Sequence, residues 1–358
     1  MRPSSALRAH VRSHAEDRPG VYRMYGEGGR LLYVGKSVRV RSRILSYFSA
    51  PRGEKAAELI REARRVAWEY VPNEFEALVR EMKLIQRHRP QYNVQHKRKR
   101  AFAFVKVTRE PAPRVIPVSR VSDDDALYFG PFPRVRRVAD TVRELAYVLQ
   151  LRDCPATSPI VFEDQTEIFA GSRGPRCLRG ELGTCLAPCC GRTSAAAYGE
   201  RVRLAVRYLE GRGRGVLDVL TRQMDEAAGR LDFEHAATLR DRAERLRALR
   251  EELTGWKGQV ESLTFLYRVP GSRGDDRVYL LRRGRIAATA EHPRTPEAHA
   301  AVARLVEEVY GRPDPGPGAL SPEGAAEVML VSRWFQRRPK EMGRAVGPRD
   351  WLEGGRGG

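Results

Sequence analysis

The sequence holds 358 residues, 41% of them hydrophobic, which is enough for two or three small domains with cores and argues against wholesale disorder. Its 65 Lys and Arg against 45 Asp and Glu leave a formal charge of +20. That balance favours nucleic acid over an acidic membrane as partner, because phosphate neutralisation dominates nucleic-acid affinity. With no apolar run of about 18 residues and no apolar signal core after Met1-Arg2-Pro3-Ser4, a cytoplasmic protein with no membrane partner is expected.

Residues 1 to 18 are polar and basic with weak periodicity, and read as a frayed or partly helical lead-in. Two short aromatic runs follow, Val21 to Tyr25 and Leu31 to Val34, around the turn-like Gly26-Glu27-Gly28-Gly29, the pattern of a β-hairpin, with Tyr22 and Tyr25 in the first run and Tyr33 in the second. After Gly35 the period becomes helical, with Val38, Arg41, Leu45 and Phe48 in phase and Lys36, Arg39 and Arg43 at its start, where a phosphate could be held. A second helical stretch runs from Glu54 to Val66, and Ala67 to Val71 reads as a strand broken by Pro72-Asn73. The third helix carries Phe75, Leu78, Met82 and Ile85 as an apolar stripe, has Glu81 at its edge, and ends at Pro90. These elements make a small α/β domain over residues 1–98.

His96 to Arg100 is a basic run that suits either a solvated linker or phosphate contact, with Lys97, Arg98, Lys99 and Arg100 as candidates beside Arg39. Phe102 to Val107 reads as a strand, Tyr128 to Phe132 as an aromatic turn, and Val138 to Leu149 as a helix. Residues 99–195 thus form a linking segment that ends in a Gly-, Pro- and Cys-rich stretch. Four of its cysteines, Cys154, Cys177, Cys185 and Cys189, suit Zn2+ or an iron–sulfur cluster; unliganded buried thiols fit the same spacing, and Cys190 is a fifth. Residues 196–255 are almost continuously helical, with Met224, Ala228, Leu231, Ala236, Leu239, Ala243 and Leu246 spaced for a helical pair turning at Asp232-Phe233. Residues 256–358 read as a small α+β region: strands at Ser262 to Val269, Arg277 to Leu281 and Arg285 to Thr289, a Pro-rich break, and a helix near Glu323 to Trp334.

Hydrolysing a phosphodiester needs a Lewis acid on phosphate oxygen, a positioned water that loses a proton, and positive charge where the transition state gathers negative charge. The first domain offers each part. Glu81 can bind one Mg2+ or Mn2+ that keeps most of its waters. Tyr22 or Tyr33 can orient or deprotonate a water if the metal and Lys36 assist, since an ordinary tyrosine with a pKa of about 10 is a poor base. Arg43 can clamp phosphate in a two-point fashion, and Gly35 lets backbone approach the site.

The set Gly20-Val21-Tyr22, Tyr33-Val34-Gly35-Lys36, Arg43, Glu81 and Asn93 resembles the GIY-YIG nuclease family, with Val21 and Val34 in place of the isoleucines of the motif name. Pro19 to Tyr25, Tyr33 to Lys36 and Arg89 to Val94 are similar to the N-terminal domain of UvrC. In that family the matching glutamate holds the single metal, the two tyrosines and the lysine manage the attacking water, the arginine contacts phosphate and the asparagine helps fix the site. Pro175-Arg176-Cys177-Leu178 with Cys185-Leu186-Ala187-Pro188-Cys189 resembles the cysteine-rich segment that follows the nuclease domain in UvrC, which implies an iron–sulfur cluster (4Fe-4S) ahead of Zn2+, and Tyr128 to Pro133 resembles that family's YFGPFP phrase. Phe233-Glu234-His235-Ala236-Ala237 with Leu239-Arg240-Asp241 resembles the UVR motif, which implies a UvrB-like partner contacted through Phe233, Glu234, Leu239 and Arg240; His235 reads as surface. The UvrC likeness covers roughly residues 15 to 290. Only Val278 to Ala288 resembles an RNase H-like nuclease, and Asp314 and Asp350 stand alone, so a short Cho-like homologue without the second incision is expected. The resemblance implies a DNA endonuclease of nucleotide-excision repair that makes one 3′-side nick. A non-catalytic adaptor docking on UvrB and a stand-alone nuclease on branched DNA are the alternatives.

Overall fold

The computed structural model describes residues 3–51, 53–93, 103–122, 124–132, 135–164, 177–313 and 322–354. Lys97, Arg98, Lys99 and Arg100, together with Val94, Pro133, Pro175 and Arg176, lie outside the described residues. The chain divides into two compact units, one of Met1–Arg100, Val260–Asp314 and Glu323–Gly358, the other of Ala101–Gln259 and Pro315–Pro322. Among the described residues no helix is long and apolar enough to cross a membrane.

The first unit opens with α1 (Pro3–His14), β1 (Gly20–Tyr25), β2 (Leu31–Ser37), α2 (Val40–Tyr47), α3 (Lys55–Glu62), β3 (Arg65–Tyr70) and α4 (Glu74–His88). Its sheet has the order β2-β1-β3, antiparallel throughout, with Tyr22 opposite Gly35 on one side and Trp68 on the other. The hairpin, helices, strand and helix expected over this stretch are all present. The lead-in differs from expectation. Leu7, Val11 and Ala15 recur every four residues, so α1 presents an apolar stripe, and Val11 and Ala15 are buried with Met24, Leu32 and Ile44. Helix α2 also differs in phase: Arg39 is the non-helical residue before it (φ −136°, ψ 82°), the helix begins at Val40, and the buried face is Val40, Ile44 and Tyr47 while Val38 is exposed. Helix α4 is capped by Asn73, whose side chain accepts from the Glu76 amide at 3.0 Å, and stops at Arg89 in the left-handed region (φ 46°) before Pro90. Glu74 and Glu76 in its first turn and Arg87 and His88 in its last suit the helix dipole.

The second unit holds β4 (Ala103–Val107), β5 (Val115–Val118) and β6 (Leu127–Phe132) in the order β5-β4-β6, then α5 (Val135–Val148), the single turn α6 (Leu178–Glu181), α7 (Ala195–Leu209), α8 (Gly215–Gly229) and most of α9 (Phe233–Ser262). The aromatic phrase at Tyr128 to Phe132 is therefore a strand rather than a turn: it pairs with β4, which buries Tyr128 and Phe132. Helices α5, α7, α8 and α9 close one core over the sheet, in which Leu145, Tyr198, Leu220 and Leu246 are buried. Arg152 is buried there with its charge answered by Glu110 and its Nε donating to the Ala112 carbonyl at 2.8 Å.

The remaining chain returns to the first unit with β7 (Phe265–Val269), β8 (Arg277–Arg282), β9 (Arg285–Glu291), α10 (Pro296–Gly311), α11 (Pro322–Arg337), β10 (Ala345–Val346) and α12 (Pro348–Gly354). The sheet order is β10-β7-β8-β9. Strand β8 carries four consecutive buried residues, Val278 to Leu281, because both of its faces are covered. Val278 and Leu280 meet Val302, Val306 and Trp351, while Tyr279 and Leu281 belong to a cluster with Phe75, Val79 and Met82 of α4 and Trp334 of α11. The C-terminal sheet thus packs on the helix that carries Glu81.

Candidate active site

Tyr22 on β1, Tyr33 on β2 and Tyr47 on α2 bring three rings together, with centroids 6.0 to 6.1 Å apart, and the Tyr22 and Tyr47 hydroxyls are hydrogen-bonded at 2.8 Å. This packing needs glycine at position 35. A Cβ there would lie 2.4 Å from the Tyr22 hydroxyl oxygen and 2.8 Å from a Tyr33 ring carbon, inside any real contact distance. Burial pushes all three hydroxyls well above the ordinary tyrosine range, and their mutual proximity adds to this. The Arg43 guanidinium sits 5.3 Å from the Tyr47 ring centre and opposes the shift at Tyr22.

Glu81 points from α4 to the same place. Its Oε1 accepts from the Lys36 amide at 3.0 Å, and Oε2 takes no hydrogen bond from the described residues. Burial raises its pKa from 4.5 to about 7, against the Lys36 amide hydrogen bond and the charges of Lys36 and Arg43. A half-buried carboxylate with one oxygen free, close enough to the Tyr33 hydroxyl to raise its pKa, is a donor that suits a single hard divalent cation keeping its own waters. Asn93 acts on the backbone: its Nδ2 donates to the Val34 carbonyl at 2.7 Å and its Oδ1 accepts from the Val34 amide at 2.9 Å, so one side chain clips β2 between Tyr33 and Gly35. The Lys36 ammonium turns to Glu74, at 2.7 Å.

The structure therefore assembles Tyr22, Tyr33, Gly35, Arg43 and Glu81, with the Lys36 amide on Glu81 and Asn93 just behind. Arg39 stands apart, exposed and 3.4 Å from Asp17. Tyr47 was missed in sequence, although it lies one turn past Arg43 on the same helix face; the off-phase reading of α2 hid it.

Of the cysteines, Cys185 is buried and the others half-buried. Burial pushes the Cys185 thiol up, and Cys177 and Cys154 are near enough to add to this. Cys189 and Cys190 lie 3.5 Å apart, sulfur to sulfur. Among the described residues, however, no three Cys, His, Asp or Glu side chains close into a metal-holding group, so the four thiols expected to ligate a cluster do not fit one as placed here. In the helical hairpin, Leu231 and Phe233 are exposed, as are Glu234 and Arg240. Leu239, expected to face a partner, is 3% exposed and belongs to the unit's own core.

Three family descriptions match this chain: a UvrC-like GIY-YIG domain over residues 18–94, the UvrC/Cho excinuclease middle domain over 102–208, and the UvrB/UvrC motif over 214–249. Among similar curated proteins, the UvrABC system protein C of Desulforudis audaxviator is 38% identical over 67% of this chain and 37% of its own length. That of Thermus thermophilus is 36% identical over 78% and 45%, and that of Carboxydothermus hydrogenoformans 31% over 90% and 53%. The chain spans about half, or less, of the length of these relatives. Among solved structures, the GIY-YIG N-terminal endonuclease domain of UvrC from Thermotoga maritima, bound to its catalytic divalent cation, magnesium, is 36% identical over 24% of this chain and 97% of that one, with a TM-score of 0.22. A point mutant of that domain bound to the catalytic divalent cation is 34% identical over 25% and 97%, with a TM-score of 0.23.

Proposed function

This chain belongs to the UvrC family, and on that footing we propose that it is a metal-dependent DNA endonuclease of nucleotide-excision repair acting in the cytoplasm, directed by damage or structure and making a single nick on the 3′ side. The observation that carries the reading is the convergence of Tyr22, Tyr33, Tyr47 and Arg43 on a Glu81 carboxylate with one oxygen free.

Glu81 would hold one Mg2+ or Mn2+, which supplies Lewis-acid charge on a phosphate oxygen. The other roles belong to the chain. Buried, protonated hydroxyls are weak bases but good orienting groups: the Tyr22–Tyr47 pair fixes one lone-pair direction, and Tyr33 bounds the opposite side. A water held there can give its proton only to a tyrosine that has first lost its own to solvent, and the positive charge of Arg43 beside the three rings favours that phenolate. Arg43, charged at any working pH, meets the phosphate oxygens where negative charge builds up. Asn93 and Gly35 keep β2 in register so that Tyr33 and the Lys36 amide stay in place.

The hairpin of α8 and α9 supports UvrB-like docking through the exposed Leu231, Phe233, Glu234 and Arg240. For the cysteine segment we propose a metal-holding role, iron–sulfur before zinc, that needs the thiols to draw closer than they stand here. Iron, sulfide and zinc analysis of the purified chain tests it, and absence of all three removes it.

Incision mapping on an end-labelled damaged duplex with Mn2+ or Mg2+, with and without UvrB, tests the nuclease reading. One cut on the 3′ side of the lesion is expected. Binding without cutting would make the chain an adaptor, and cutting of undamaged branched DNA without UvrB would make it a stand-alone nuclease.

A further inference from the structure

The residues from Phe265 onward lie outside the three matched stretches, which end at 249. In the structure they are joined to the nuclease helix. The first turn of α4 is held residue by residue: Asn73 Nδ2 donates to the Tyr279 hydroxyl at 3.1 Å, and that hydroxyl donates to Glu76 Oε2 at 2.9 Å. Phe75 makes edge contacts with Tyr267 and Tyr279 at 5.2 and 5.0 Å and packs on Trp334 at 5.3 Å. Between these lies Glu74, whose Oε1 takes two cations, Lys36 Nζ at 2.7 Å and the Arg338 guanidinium at 2.9 Å.

Glu74 and Glu81 are seven residues apart, two helical turns, and so share one face of α4. Lys36 spans that face, with its amide on Glu81 and its ammonium on Glu74. A lone, partly exposed Lys–Glu pair fixes little, because two flexible side chains lose rotamer entropy for a solvent-screened attraction. Arg338 changes this. It lies flat on the Trp334 ring at 3.9 Å, and the Trp334 indole is itself anchored on the Tyr267 hydroxyl at 3.0 Å. A guanidinium fixed by stacking holds the carboxylate in one rotamer, and the carboxylate then holds the ammonium.

We infer that Arg338, acting through Glu74, is a positioning residue for Lys36, so that the C-terminal sheet and α11 are a working part of the nuclease site. This rests on the nuclease reading for its effect on rate, but not for the arrangement itself.

The test uses the full chain with R338Q, R338K, E74Q and the R338Q/E74Q double variant, read two ways. In nicking assays R338Q should lower kcat about 3- to 10-fold with KM unchanged, R338K should recover much of the loss, and R338Q should cost less than about twofold once E74Q is present. In lysine-labelled protein, NMR relaxation at the Lys36 Cε, assigned with K36R, should show the side chain loosened by R338Q and by E74Q and no further by both. An equal rate loss in the E74Q background, a loss confined to KM, or a Lys36 side chain indifferent to Arg338 would overturn the inference. If the wild type nicks no duplex, the nuclease reading fails, while the Lys36 relaxation still decides whether Arg338 positions it.

Discussion

Replacing Glu81 by Gln separates the chemistry of the site from its stability. The amide keeps an oxygen for the Lys36 N–H, now at 3.0 Å from Oε1, and removes only the charge. In the folded protein without metal, burial lifts the Glu81 pKa from 4.5 to about 7. A raised folded-state pKa means that the native state binds the proton more tightly. The group's contribution is therefore fully present below about pH 4.5 and is lost as pH rises through about 7. At 1.36 kcal/mol for each pH unit, that loss is about 3 kcal/mol. The substituted amide does not titrate, and its buried NH2 without an acceptor costs roughly 1 kcal/mol. Metal-free E81Q should thus be more stable than wild type by about 2 kcal/mol at pH 8, a rise in Tm of roughly 4–8 °C, and less stable at pH 4.5. Thermal melts in EDTA at pH 4.5, 7 and 8 read this directly. Adding Mg2+ or Mn2+ should raise the wild-type Tm at pH 8 and leave E81Q unmoved, since only a ligand that binds the native state stabilises it. Nicking should disappear while duplex binding survives. A variant no more stable than wild type at pH 8 in EDTA would refute the electrostatic reasoning, and one that nicks at the wild-type rate would refute the assignment of Glu81.

The backbone supports of the site give two further expectations. Gly35→Ala forces a Cβ into the Tyr22 hydroxyl and the Tyr33 ring, so it should destabilise by about 1–3 kcal/mol and cut nicking more than Tm alone explains; an unchanged rate would mean that the ring cluster tolerates displacement. Asn93→Ala leaves the buried Val34 N–H and C=O unpaired, at a cost of about 2–4 kcal/mol in denaturant melts, and wild-type stability would show that the clip is dispensable.

The hairpin and the three helices after it were legible in the chain's local patterns, and most residues of the candidate site in the motif that they resemble. Those features are written in short periods and in residue types that each chemistry requires: the aromatic phrases around Gly26–Gly29, the Phe75-to-Ile85 stripe, and the Tyr22, Tyr33, Lys36, Arg43 and Glu81 set. Phase was the weak point. One non-helical residue, Arg39, sets the phase of α2 so that Val40, Ile44 and Tyr47 rather than Val38 and Leu45 form the buried face, and this brings in the third tyrosine. The register of pairing was likewise out of reach: Tyr128 to Phe132 has the composition of a turn and becomes a strand because β4 has a free edge for it. What the C-terminal hundred residues do for the site emerged from the folded arrangement alone. Phe75 and Arg338 are more than 260 positions apart, and no local period links a helix's first turn to a sheet that distant. Burial of Phe75 among Tyr267, Tyr279 and Trp334 makes that link and carries Arg338 to Glu74 with it.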